Sequence, residues 1–87
     1  MKKIITEVEN EGLIKLMGKK VTFFCLNYIY TGILIGVNET CVLIQKPEIV
    51  YETGSFTQDK YKDSQSLCVE EFYIKTNCIE SFGVLKW

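Results

Sequence analysis

Histidine is absent from this 87-residue chain, which removes the side chain most often used for acid–base catalysis near neutral pH. No Gly-rich phosphate loop and no nucleophile–base pair can be found either, so no catalytic residue is assigned and the chain reads as a binding protein. Neither sign of charge is in excess: Lys and Arg total 10 against 11 for Asp and Glu, a formal charge of −1. Duplex-binding proteins carry a clear basic excess because phosphate neutralisation supplies most non-specific affinity, so duplex DNA is not an expected partner. No apolar run approaches the roughly 20 residues of a membrane-spanning helix, so no membrane partner is expected. Met1-Lys2-Lys3-Ile4-Ile5 leads into Glu7, Glu9 and Glu11 rather than into an apolar signal core, which makes the cytoplasm the expected location. The four cysteines, Cys25, Cys41, Cys68 and Cys78, include no CxxC pair. A structural zinc site draws on paired ligands at short spacing, so neither a metal nor another cofactor is expected. Each cysteine lies in an apolar run and reads as a small, buried, reduced thiol.

What is abundant is apolar surface. A chain of this length makes one domain, 1–87, and buries little more than ~60% of its unfolded surface. At 47% hydrophobic and 13% aromatic it has more apolar surface than so small a core hides, which points to sharing that surface with copies of itself.

A short helix is expected over 6–17. Thr6 and Glu9 match a capping box, Val8, Leu13, Leu16 and Met17 form a helical stripe, and Gly18 is a C-terminal stop. From residue 19 to 85 the pattern is β. Val21 to Leu26 is rich in β-branched and aromatic residues, and Asn27-Tyr28 offers a turn. Tyr30 to Val37 follows, with Gly32 and Gly36 marking bends of the kind a small curved barrel needs. Asn38-Glu39-Thr40 connects to Cys41–Gln45, which Lys46-Pro47 is expected to end. Residues 52–66 read as a long polar loop of the kind that is often functional. Leu67 to Lys75 and Ile79 to Leu85 are the last two strands, joined by Thr76-Asn77. The expected fold is therefore mainly β: a short helix and a five-stranded, strongly bent, partly open barrel.

This order of elements resembles the Sm/Lsm family of ring-forming, SH3-like small barrels. Tyr30-Thr31-Gly32-Ile33-Leu34-Ile35-Gly36-Val37-Asn38, followed by Val42-Leu43-Ile44, is similar to the first Sm signature. Ile74-Lys75-Thr76-Asn77-Cys78-Ile79 resembles the second, with lysine for arginine, threonine for glycine and the asparagine one place early. A narrower resemblance is to uncharacterised Sm-like proteins of bacteriophages. It rests on Gly18-Lys19-Lys20-Val21, Tyr28-Ile29-Tyr30-Thr31-Gly32, Thr53-Gly54-Ser55-Phe56 and Trp87. It implies a viral protein in the cytoplasm of a bacterial host, forming a homo-oligomeric ring of about five to seven copies whose strand edges pair between subunits.

In Sm rings bases bind on the loop after strand two and on the loop between strands four and five. By position the resemblance implies Asn38, with Glu39 beside it, and Lys75, Thr76 and Asn77. Asparagine amides can pair with a base edge and a lysine can meet a phosphate. Asn38 and Asn77 read equally well as turn residues, and Lys75 as an ordinary solvated lysine. Glu39 repels phosphate. Among aromatics, Tyr28 at a turn and Phe56 and Tyr61 in the 52–66 loop are stacking candidates, the latter two either packing back on the barrel or capping a ligand. Tyr30 and Tyr73 read as core or interface. Glu70-Glu71 reads as a solubilising edge, since adjacent strand residues face opposite ways. The expected function is binding of single-stranded RNA bases or a small nucleotide. Two alternatives stand beside it: a phage sponge that sequesters a small nucleotide immune signal, and a purely structural or protein-interaction ring.

Overall fold

The computed structural model describes residues 11–55 and 61–85. Of the expected helix, α1 (Glu11–Ile14) is present, followed by tight turns; Thr6 and Glu9 lie outside the described residues. Gly18 ends this segment with φ +84, a conformation that glycine adopts without a Cβ clash. Its N–H donates to Leu34 O at 2.7 Å, tying the helix end to the sheet.

The chain is mainly β. Its strands are β1 (Lys20–Cys25), β2 (Ile29–Val37), β3 (Cys41–Glu52), β4 (Asp63–Ser66), β5 (Glu71–Lys75) and β6 (Ile79–Val84). They form one antiparallel sheet in the order β4-β3-β2-β1-β6, with β5 also paired to β3. One expectation is corrected here: there are six strands among the described residues rather than five. The sheet does not close on itself, since β5 and β6 do not pair.

The extra strand comes from the segment expected to be a loop. Lys46-Pro47 does not end β3 but bends it: Thr31 faces Glu48 and Ile33 faces Gln45, so Gly32 alone opposes Lys46 and Pro47. Such a bulge places the proline, which has no N–H, where the ladder asks for none. Lys46 takes φ +50 at the bend, and the Pro47 carbonyl accepts from Leu67 N at 2.9 Å. The bend splits β3 into two halves. Cys41–Gln45 pairs with β5, while the half from Glu48 to Glu52 pairs with β4. The 52–66 segment thus begins with the last residue of β3 and ends in β4, with residues 56–60 outside those described. The fourth expected strand is correspondingly shorter, beginning at Glu71 rather than Leu67.

Strand alternation sets the core. Val21, Phe23, Leu34, Val42, Ile44 and Ile74 point to one side and are buried together with Leu13 of α1. Burying each such side chain contributes about 1.5–3 kcal/mol. Gly32 sits over this cluster: a Cβ there would lie 2.8 Å from Ile44 Cδ1 and 2.9 Å from Gln45 O, so the close passage of β2 over β3 requires glycine.

Candidate functional site

The β2–β3 turn is built by Asn38. Its Oδ1 accepts from Thr40 N at 2.8 Å, Cys41 N at 2.9 Å and Thr40 Oγ1 at 3.1 Å, closing an Asx turn. The Asn38 carbonyl oxygen is thereby committed to the backbone. A single 3-10 turn, Thr76–Cys78, joins β5 to β6. Thr76 fastens this turn to the first one: its N–H donates to Thr40 O at 2.9 Å and its Oγ1 donates to Glu39 O at 3.0 Å, across 37 residues of sequence. Asn38, Lys75, Thr76 and Asn77 therefore come together at one end of the sheet, with Asn38, Glu39, Lys75 and Asn77 exposed. Thr76 acts as the latch between the loops, and a polar rim of two amides, one ammonium and the Glu39 carboxylate surrounds it.

Beside this rim lies an apolar groove of about 200 Å³ on the open side of the sheet, between β5 and the β1–β2 connection. Tyr28, Tyr30 and Phe72 make a continuous aromatic wall. The Tyr28 and Tyr30 ring centroids are 6.1 Å apart, and those of Tyr30 and Phe72 5.2 Å apart, both pairs tilted. Tyr28 is 57% exposed, and Lys75 lines the groove where it meets the rim. Burial, then the nearby Cys25, Tyr28 and Cys78, pushes the Tyr30 phenol above its ordinary value. Of the two readings of Tyr73, core or interface, the core is excluded: it is 64% exposed because Phe72 and Ile74 take the inward positions of β5. The cysteines also depart from expectation. Cys68 and Cys78 are exposed, and Cys25 and Cys41 half-buried, because none occupies a fully covered inward position.

Tyr61 belongs to neither feature. Its hydroxyl lies 2.7 Å from Thr22 Oγ1 on the opposite face of β1, where Thr22 and Thr31 are buried. Thr22 Oγ1 donates to Thr31 Oγ1 at 3.5 Å and Thr31 Oγ1 to Val21 O at 3.1 Å, completing a hydroxyl chain. Of the two alternatives for this loop aromatic, packing back on the sheet is the one observed. Phe56 lies outside the described residues. Glu70 and Glu71 are exposed.

Sequence reasoning missed Asn27, Phe72 and the two groove cysteines, Cys25 and Cys78. The period-two pattern of Glu71–Lys75 marks Phe72 as inward, but nothing local tells that β5 faces the β1–β2 connection. Among the described residues no group of three or more Cys, Asp or Glu is placed to hold a metal ion, and no helix is long and apolar enough to cross a membrane. Comparison with known proteins finds no matching family model and no matching curated protein.

Proposed function

We propose that this chain is a non-enzymatic, Sm-like barrel protein, phage-encoded, that assembles with copies of itself and binds nucleotide bases at the cluster of residues 38–40 and 75–77. The observation that carries the reading is the Thr76 latch, which holds the two loops against each other so that Lys75 and Asn77 stand beside Asn38. A ligand carrying both a base and a phosphate meets an amide and an ammonium together there. The formal charge of −1 and the Glu39 carboxylate at the rim favour a small nucleotide or a short single strand over long RNA.

Self-assembly is supported by the open sheet. Among the described residues β5 is paired only to β3 and β6 only to β1, so each has an unpaired edge, as does β4, which is paired only to β3. Phe82 and Val84 of β6 are 39% and 44% exposed, and the groove beside β5 is apolar. Pairing β5 of one copy with β6 of the next is a head-to-tail contact that closes into a ring and removes the edges of β5 and β6.

Calorimetric titration with short oligonucleotides and with mono- and cyclic nucleotides tests the reading. Charge-assisted contacts contribute ~1.5–3 kcal/mol, so Lys75→Ala should weaken binding by roughly 10- to 150-fold. Asn77→Ala should weaken it by about 1 kcal/mol. Unchanged affinity in both variants, with assembly intact, would remove the site from these loops.

A further inference from the structure

Two of the cysteines meet at the corner where β1 ends and β6 begins. Cys25 faces Ile79 in the ladder, just where the register shifts. Leu26 N–H donates to Cys78 O at 3.1 Å, so the backbones carrying the two thiols are in direct contact. Opposed residues in an antiparallel pair have Cα atoms about 4.5–5.5 Å apart, and a diagonal offset of one residue brings this to roughly 6 Å, within the span of a disulfide. Regular alternation would turn Cys78 away from the side Ile79 takes. The 3-10 turn that ends at Cys78 breaks that alternation, and both cysteines line the same groove. Neither thiol holds a strong partner: Cys25 Sγ lies 3.9 Å from Phe23 O, and Cys78 Sγ 3.5 Å from Asn77 Oδ1. Burial, then the proximity of Cys78, pushes the Cys25 thiol above its ordinary value.

We propose that Cys25 and Cys78 are a disulfide-forming pair, oxidised by thiol–disulfide exchange with a small disulfide such as oxidised glutathione. Cys78 is the exposed member and meets the reagent first. Its thiolate attacks one reagent sulfur, a mixed disulfide forms, and one glutathione leaves as thiolate. Cys25 then gives its proton to solvent and attacks the Cys78 sulfur, expelling the second glutathione, which is protonated in turn. Two protein thiols are oxidised to one disulfide, and one reagent disulfide is reduced to two thiols. The bond pins the Thr76–Cys78 turn to the end of β1, in the wall of the groove beside the β5 edge. Cys41 stands opposite Lys75 in the β3–β5 ladder, and Cys68 in the irregular stretch before β5, so neither shares this corner.

The test is to incubate the intact chain with oxidised glutathione and map its peptides without reduction. The expected product carries a single protein disulfide, joining Cys25 to Cys78 within one chain, with the linked peptides lighter by the mass of two hydrogens, and it unfolds at higher urea than the reduced protein. Cys25→Ser should stop at a stable glutathione adduct on Cys78, and the double variant Cys41→Ser with Cys68→Ser should oxidise like the unaltered chain. A glutathione adduct that persists on Cys78 of the unaltered chain overturns the proposal, as does a bond that involves Cys41 or Cys68 or joins two copies. The map of the unaltered chain decides the matter even where a variant fails to fold.

Discussion

Gly32 and Gly83 lie in neighbouring parts of the same sheet, yet the space around them differs sharply. A methyl group at Gly32 runs into Ile44 and the Gln45 carbonyl, whereas nothing lies within 4 Å of one added at Gly83. Gly32→Ala is therefore expected to destabilise by about 1–3 kcal/mol, the usual range for overpacking. Gly83→Ala should stay within about 0.5 kcal/mol of the unaltered chain. Urea denaturation of the two variants side by side checks both, and equal midpoints would contradict the close passage of β2 over β3. Tyr61 offers a second comparison at this scale. Its hydroxyl is held by Thr22 on a face where Thr22 is buried, so Tyr61→Phe should lower stability by about 1 kcal/mol. A Tyr61 that served only to stack on a ligand predicts an unchanged urea midpoint for this variant, and weakened nucleotide binding only when the ring itself is removed in Tyr61→Ala.

Among the elements, the short turn Thr76–Cys78 has the widest influence, because it touches both the β2–β3 turn and the end of β1. Thr76→Val keeps the shape of the side chain and removes the hydroxyl that reaches Glu39 O. It should lower the urea midpoint by the equivalent of about 1 kcal/mol. It should also weaken nucleotide binding, because the two loops lose their fixed spacing. Weaker stability with full affinity would show that the loops need no latch to bind. The bend at Lys46-Pro47 is the other element-scale device. It lets one strand serve two partners, β5 before the bulge and β4 after it, and so decides which edge is left open.

At the scale of the whole molecule the open edges of β5 and β6 matter most. Light scattering of the purified chain at micromolar concentration is expected to give about five to seven copies, the closed assembly that hides both edges. Phe82→Glu places a charge on the exposed inner side of β6, where an apolar groove would have to receive it. That variant should be monomeric or much smaller by light scattering while keeping its β circular dichroism. A monomer for the unaltered chain would remove the ring and leave the nucleotide reading to be tested on the single domain.

Sequence by itself determined the β character of this chain and the positions of β1, β2 and β6 within a residue or so. Each follows from local causes: β-branched and aromatic runs, period-two alternation and turn residues such as Asn38. Sequence likewise marked Thr76-Asn77 as a turn, with Lys75 ending the strand before it. Tertiary structure alone decided the rest. β4 is Asp-Ser-Gln-Ser, all four residues exposed, with no apolar alternation to announce it; it is a strand because the bent half of β3 presents a ladder to it. Pro47 signals a strand end when read locally, and becomes a bulge only because Gly32 stands opposite. The aromatic groove, the meeting of Cys25 with Cys78 and the packing of Tyr61 on Thr22 all join residues far apart in the chain. Such contacts are set by how the sheet curls and by its register, which no short stretch of sequence encodes.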